Sequence, residues 1–194
     1  MKSNELTILI PVKDSLFIDE FIKYNKNEFN KYKVMVIDSG GGESLLPYAT
    51  YYFKENLNLT DARKFGYSFL QTPYVLNLDA DVIIPNNYIE DALKILKSND
   101  KNVAVSIFYE NIMHCQGALE YGISIWKSDI LKNLYDFSFN KTLDRNIYKV
   151  GDNIYSTLNN GWCECNYMWR KIKNHGFNLE TLNIKAIHLK EKRI

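Results

Sequence analysis

The run Leu76-Asn77-Leu78-Asp79-Ala80-Asp81-Val82-Ile83 sets the tightest limit on the fold, because an apolar strand with little helical period ends in two carboxylates one residue apart. Val75, Leu76 and Leu78 suit the interior of a sheet, where an unpaired carboxylate is costly. Asp79 and Asp81 therefore belong past the strand's end or beside a compensating cation. Where strand alternation loosens into a turn, both can face one hard divalent ion and the phosphates it carries. A polar turn capped by two solvated aspartates has the same local sequence, so the rest of the chain has to decide between them.

Strands alternate with helices around this run. Leu6 to Val12 reads as a strand, and from Ser15 onward Phe17, Ile18, Phe21 and Ile22 fall on one helical face. Lys33 to Ile37 is a second buried strand, ending at Asp38-Ser39-Gly40-Gly41-Gly42, a turn where backbone can approach a ligand closely. Tyr51 to Phe53 forms a short strand, and Thr60 starts a helix carrying Ala62, Phe65 and Phe69. Asn86 or Asn87 caps a further helix whose Ile89, Ala92, Leu93 and Leu96 repeat at helical spacing. In the second half, Val103 to Phe108, Ile123 to Trp126 and Ile184 to Leu189 read as strands. Ser128 to Leu134 and Trp162 to Asn174 read as helices, the latter closed by Gly176. The pattern predicts an α/β fold, a mainly parallel sheet covered by helices on both faces, with ligands beyond the carboxyl ends of the strands.

At 194 residues with 46% hydrophobic and 24% charged residues, the chain suits a single globular domain over 1–194. A formal net charge of +1 without a basic block argues against nucleic acid as a partner. The Leu6–Ile10 run is too short for a signal peptide and no stretch reaches membrane-spanning length, so the expected setting is soluble and cytoplasmic. Cys115, Cys163 and Cys165 lack paired zinc spacing and are expected to be reduced.

These features resemble the GT-A glycosyltransferases, most closely the family 2 nucleotide-sugar transferases. Leu6 to Asp14, including Pro11, Val12 and Lys13, looks like that family's first strand and the turn under the nucleotide base. Val34 to Gly40 looks like its second strand, with Ser39 replacing the second of two usual acids after Asp38. Thr60 to Gly66 is similar to the segment with a phosphate- or ribose-side arginine, here Arg63, and Leu76 to Asp81 matches the Asp-x-Asp strand. The resemblance implies a metal-dependent, inverting transfer of a sugar from a nucleoside-diphosphate sugar to a hydroxyl of a glycan, protein or lipid acceptor. Residues 1–100 would form the nucleotide-sugar half and 101–194 the acceptor and catalytic-base half. Asp79, Asp81 and His188 would hold Mn2+ or Mg2+, while Pro11, Val12, Lys13, Asp38, Ser39, Arg63 and Asp79 border the donor. The catalytic base is either Asp152, where Val150-Gly151-Asp152-Asn153 opens an apparent helix, or Glu164, which precedes Arg170 and Gly176. The chain's size is similar to that of the minimal transferases of archaeal viruses, which implies host cytoplasm if the source is viral. So short a chain also leaves room for a peripheral membrane or oligomer contact to complete the acceptor site.

Each role has a competitor. Asp38, ahead of a glycine turn, can bond its own backbone. Arg63 can be a surface helix arginine in a weak ion pair. His188 can be structural, and Asp152 and Glu164 can be first-turn acids. Trp126, Trp162 and Trp169 are candidates for stacking on sugar faces, with helical spacing favouring core for Trp169. The rival enzyme is a haloacid dehalogenase-type phosphatase, with Asp79 as nucleophile, Asp81 as general acid and Gly151-Asp152 as a later magnesium motif. Its second acid is missing, since Ser156 stands there, and its nucleophile strand normally comes first in the chain. A dinucleotide-binding oxidoreductase fails at Leu45, where a third glycine is needed. A non-catalytic nucleotide-sugar binding module would have almost the same sequence.

Overall fold

The computed structural model describes residues 2–110, 119–136, 147–150, 153–156 and 164–189. Its centre is an eight-stranded sheet of order β3-β2-β1-β4-β7-β6-β10-β5. The strands are β1 (Ser3–Val12), β2 (Tyr32–Asp38), β3 (Tyr51–Lys54), β4 (Tyr74–Leu78), β5 (Val82–Ile83), β6 (Asn102–Tyr109), β7 (Ile123–Lys127) and β10 (Asn178–His188). β1, β2, β3 and β4 run parallel, as do β6 and β10. β7 is antiparallel to both β4 and β6, and so restores the common direction beyond itself. The carboxyl ends of β1, β2, β4, β6 and β10 therefore share one edge.

Alternation along β1 explains the two layers. Leu6, Ile8 and Ile10 pack into one core with Phe21 and Phe29 of α1 (Ile18–Lys31) and Ile89, Ala92 and Leu96 of α3 (Tyr88–Ser98). Leu9 points the other way, toward Ala62 and Tyr67 of α2 (Leu59–Ser68), Leu131 and Leu134 of α4 (Ser128–Leu134), and Met168 and Ile172 of α5 (Glu164–Asn174). Helices thus cover both faces, as the pattern predicts. Helix α2 lies close on the sheet at Gly66, where a Cβ would stand 2.5 Å from Leu9 Cδ1.

Four expectations change. The buried residues of α2 are Thr60, Ala62, Arg63, Gly66 and Tyr67, so Ala62 is buried as expected, while Phe65 is half-buried and Phe69 exposed, joined to Phe53 in an aromatic cluster at the β3 edge. Asn87 does occupy the N-cap of α3, but in the left-handed region (φ 63°) with no side-chain cap bond. The helix expected to open at Val150–Asn153 is replaced by two paired strands, β8 (Ile147–Val150) and β9 (Asn153–Ser156). Ile147, Tyr148, Val150, Ile154 and Tyr155 are β-branched or aromatic, types that favour strands. Trp126 is fully buried and serves the core, unlike a sugar-stacking side chain. Trp162, Cys115 and Cys163 lie outside the described residues. Cys165 forms no disulfide among them, and its Sγ accepts a hydrogen bond from Tyr121 N at 3.4 Å. No helix among the described residues is long and apolar enough to cross a membrane.

Candidate active site

The Asp79-Ala80-Asp81 turn leaves the carboxyl end of β4 and is held from four sides. Asp79 N donates to Gly122 O (2.9 Å), Ser15 Oγ donates to Ala80 O (3.1 Å), and Leu189 N donates to Asp81 O (2.7 Å). The fourth support comes from α1, where the fully buried Asn25 grips β5: its Nδ2 donates to Val82 O (2.9 Å) and its Oδ1 accepts from Ile84 N (2.8 Å). An amide is needed there because one side chain must both give and accept a hydrogen bond. Asn25→Leu should cost about 1–3 kcal/mol, the usual toll for orphaning buried backbone groups. Urea unfolding measures it, and a loss below half a kcal/mol would show the clamp to be unimportant.

Strand pairing brings in the histidine. β5 runs antiparallel to the end of β10, with His188 opposite Val82 and Ile187 opposite Ile83. His188 Nε2 consequently lies 3.6 Å from Asp81 Oδ1, both groups largely buried, and the imidazole meets the Tyr109 ring edge-on. Among the described residues no three His, Cys, Asp or Glu side chains are already gathered as a metal cage. Asp81 and His188 are the adjacent pair, with Asp79 beside them.

Asp79 is committed on its inner side. Arg63 Nη2 bonds Asp79 Oδ1 at 2.5 Å, Nη1 bonds Glu164 Oε2, and Tyr135 Oη donates to Glu164 Oε1. The guanidinium is 2% exposed and stacks over the Tyr121 ring at 5.0 Å. Burial, the largest influence, pulls its pKa down, but the Asp79 charge together with the surrounding Tyr67, Tyr135 and Tyr121 more than offsets this and the net direction is upward. Burial, above all, pushes the Tyr67 and Tyr121 phenols up, so both remain neutral; Tyr67 hydrogen-bonds Tyr121 and Asn77. Gly122 completes the arrangement, since a Cβ there would stand 2.5 Å from Asp79 Cγ and nearer still to Oδ2.

A cleft of about 390 Å³ opens over this edge, and Pro11, Lys13, Asp79, Asp81 and His188 line it together. The other expected residues sit elsewhere. Val12 is buried, and Arg63 faces two carboxylates of its own chain rather than the cleft, because its place on the inner stripe of α2 points it at the sheet. Asp38 is fully buried: its Oδ1 accepts from Gly40 N (2.8 Å) and Gly42 N (3.0 Å), and Tyr52 Oη donates to its Oδ2. Ser39 Oγ donates to Glu55 O (2.7 Å) and accepts from Leu57 N (3.2 Å). Glu164 is buried with both oxygens engaged, and Asp152 lies outside the described residues. Sequence reasoning passes over Asn25, Gly122 and Tyr135. Only Gly122, a glycine among strand-forming residues, leaves a local trace, because such a glycine marks a close approach.

The sheet order, the two helical layers and the acidic turn at the carboxyl edge define a GT-A fold. Residues 7–143 match the Glycosyl transferase family 2 profile, and the chain belongs to that family. Membership removes the phosphatase reading of Asp79. Among solved structures, the mannosyltransferase PcManGT from Pyrobaculum calidifontis, in complex with GDP-Man and Mn2+, superposes with a TM-score of 0.68 at 17% identity, covering 97% of this chain and 58% of that one. S. aureus TarS 1-349 gives 0.60 at 12% identity, covering 94% and 59%. Glucosyl-3-phosphoglycerate synthase from Mycobacterium tuberculosis, in complex with Mn2+, UDP and phosphoglyceric acid, gives 0.53 at 13% identity, covering 66% and 57%. Likeness at these identities concerns the fold. The chain spans under two thirds of the length of each of these proteins, and a comparison with curated protein sequences finds no match.

Proposed function

We propose that this chain is a metal-dependent, inverting glycosyltransferase that moves a sugar from a nucleoside-diphosphate sugar to an acceptor hydroxyl. The observation that carries the reading is the meeting of Asp81 and His188 at the cleft beside Asp79, two residues 107 positions apart in a family 2 chain. A carboxylate oxygen suits Mn2+ or Mg2+ and an imidazole nitrogen favours Mn2+ of the two, and their 3.6 Å separation is of the order two ligands of one small ion need, each bond being about 2.1 Å. Asp81 and His188 would hold the ion, with Asp79 joining through the oxygen that Arg63 leaves open or turning to the ribose. When bound, the ion supplies charge neutralisation for the departing diphosphate. Complexes of the structural neighbours with GDP-Man and Mn2+, or with Mn2+ and UDP-glucose, support the choice of donor class and metal.

In this reading residues 1–100 carry most of the donor site, with His188 reaching back from the acceptor half. Inversion needs a carboxylate that takes the acceptor's proton while the sugar carbon is attacked opposite the diphosphate. Asp152 is the preferred base, because both oxygens of Glu164 are already spoken for. The acceptor is a glycan, protein or lipid hydroxyl, and a cytoplasmic setting, with a membrane surface or second subunit completing that side, belongs to the same reading.

A panel of sugar nucleotides tested by thermal shift with and without Mn2+ checks it. Ligand at a hundred times Kd adds about 2.7 kcal/mol, and a domain of this size moves by about 2–4 °C per kcal/mol. One donor should therefore raise Tm by several degrees only with Mn2+, and Asp81→Ala should remove the metal dependence. No shift with any donor would overturn the reading. Asp152→Asn should bind donor normally and lose turnover; full turnover in that variant would pass the role to Glu164.

A further inference from the structure

His188 reaches the site on the last residues of β10, and that tip is held separately from the rest of the strand. β10 pairs with β6 in one register as far as Thr181, opposite Ser106, and resumes at Lys185, opposite Phe108, so four steps of β10 face two of β6. Such irregularities re-aim side chains beside functional sites. This one frees the tip, Lys185 to Leu189, from the register of the long strand, so the tip needs anchors of its own.

Three anchors are present. Ala186 O accepts from Glu110 N (2.8 Å) just past the end of β6. Ile187 and His188 lie opposite Ile83 and Val82 of β5, the strand that Asn25 fixes to α1. Leu189, the residue after the histidine, supplies the third. Its N–H donates to Asp81 O (2.7 Å), and its side chain, 1% exposed, joins the apolar cluster that holds Ala80, Val82 and Ile84. Asp81 thus meets the tip twice, with Oδ1 3.6 Å from His188 Nε2 and its main-chain oxygen on Leu189. Leu189 is not among the residues that line the cleft, so it can act on the site only through its neighbours.

We infer that Leu189 is a positioning residue for the metal site, holding His188 beside Asp81 before any ion arrives. This rests on the metal-dependent reading above and deepens it, naming the residue that sets how tightly the ion is held. A ligand that occupies its place only part of the time lowers the apparent affinity by that fraction. A tip held by a two-residue ladder alone, with few buried contacts, opens readily. With Leu189 docked, the backbone that carries the imidazole is ordered during folding, and binding no longer bears that entropy cost. An ordinary core leucine would differ in one respect: its loss would lower stability and leave the histidine's share in metal binding untouched.

Electron paramagnetic resonance of the full chain with Mn2+ tests this through two readouts. The signal of free aqueous Mn2+ gives the affinity, and the 14N modulation of the electron spin echo reports an imidazole on bound Mn2+. The wild type should show that modulation and His188→Gln should lack it. Leu189→Ala should bind Mn2+ about tenfold more weakly, and the milder Leu189→Val about threefold, both with reduced modulation. Leu189→Met refills the volume and should return to within about twofold of the wild type. Leu182→Ala removes a half-buried leucine packed on the same cluster upstream of the tip, and should lower Tm while leaving both Mn2+ readouts unchanged. Full affinity and modulation in Leu189→Ala and Leu189→Val, or equal losses from Leu182→Ala, would overturn the positioning role and leave the metal site standing. Mn2+ bound by the wild type without imidazole modulation would overturn His188 as a ligand and the role of Leu189 with it. No Mn2+ binding at all, with or without a nucleoside diphosphate, would overturn the metal-dependent reading itself.

Discussion

Replacing Arg63 with methionine is expected to cost about 3–5 kcal/mol of folding stability, the range for breaking a buried ion pair from one side. Arg63 is 2% exposed and its two Nη groups hold carboxylates that come from different parts of the chain, Asp79 after β4 and Glu164 at the start of α5. Methionine fills much of the space but leaves Glu164 buried with only the Tyr135 hydroxyl for company. Lysine restores a charge without the planar fork that spans two partners, so Arg63→Lys should recover only part of the loss. The double variant Arg63→Met with Glu164→Gln should be more stable than Arg63→Met alone, since it removes the uncompensated charge and keeps a hydrogen-bonding group for Tyr135. Urea unfolding of these variants and of Glu164→Gln alone, followed by far-UV circular dichroism, gives all the free energies and the coupling between the two sites. A phosphate-facing arginine would behave differently, with donor affinity falling and stability hardly moving, and that pattern would sink the bracket described for Arg63.

The contrast shows which parts of the site a sequence can hold. Strand ends were legible because their signal is local: an apolar run followed by Asp38 or by Asp79 and Asp81 can only stop at an edge. His188 was placed by the family pattern, and its approach to Asp81 depends on an antiparallel pairing of β5 with β10 that two residues of β5 do not announce. Arg63 was legible as a residue and not as a contact. Its partner Glu164 lies 101 positions away, and of the α2 face expected from Ala62, Phe65 and Phe69 only Ala62 is buried, beside Thr60, Arg63, Gly66 and Tyr67, where the sheet covers the helix. Asp38 was readable both ways, and the structure has it bonding its own glycine turn. The helix at Val150–Asn153 failed because an acid next to glycine resembles a cap, whereas the flanking β-branched and aromatic residues pair as strands.

Gly122 supplies the sharpest test of where Asp79 must stand. A methyl group there would be 2.5 Å from Asp79 Cγ, well inside carbon–carbon contact, so either the carboxylate or the backbone has to move. Neither is at liberty. Asp79 Oδ1 is tied to Arg63, and Asp79 N is tied to the carbonyl of Gly122 itself, so pushing on the side chain pulls on its own anchor. Gly122→Ala should therefore lower the proposed Mn2+-dependent sugar transfer about 10²-fold, the scale of a misplacement near 1 Å, with a stability loss of about 1–3 kcal/mol from overpacking. Gly176 is the matched control. It has a positive φ of 69° and nothing within 4 Å of a Cβ, so Gly176→Ala should strain the backbone after α5 and leave transfer unchanged. Equal turnover by both variants would mean that the Arg63-bound position of Asp79 is not the one from which it serves the donor. Loss confined to Gly122→Ala ties transfer to the carboxylate that ends β4.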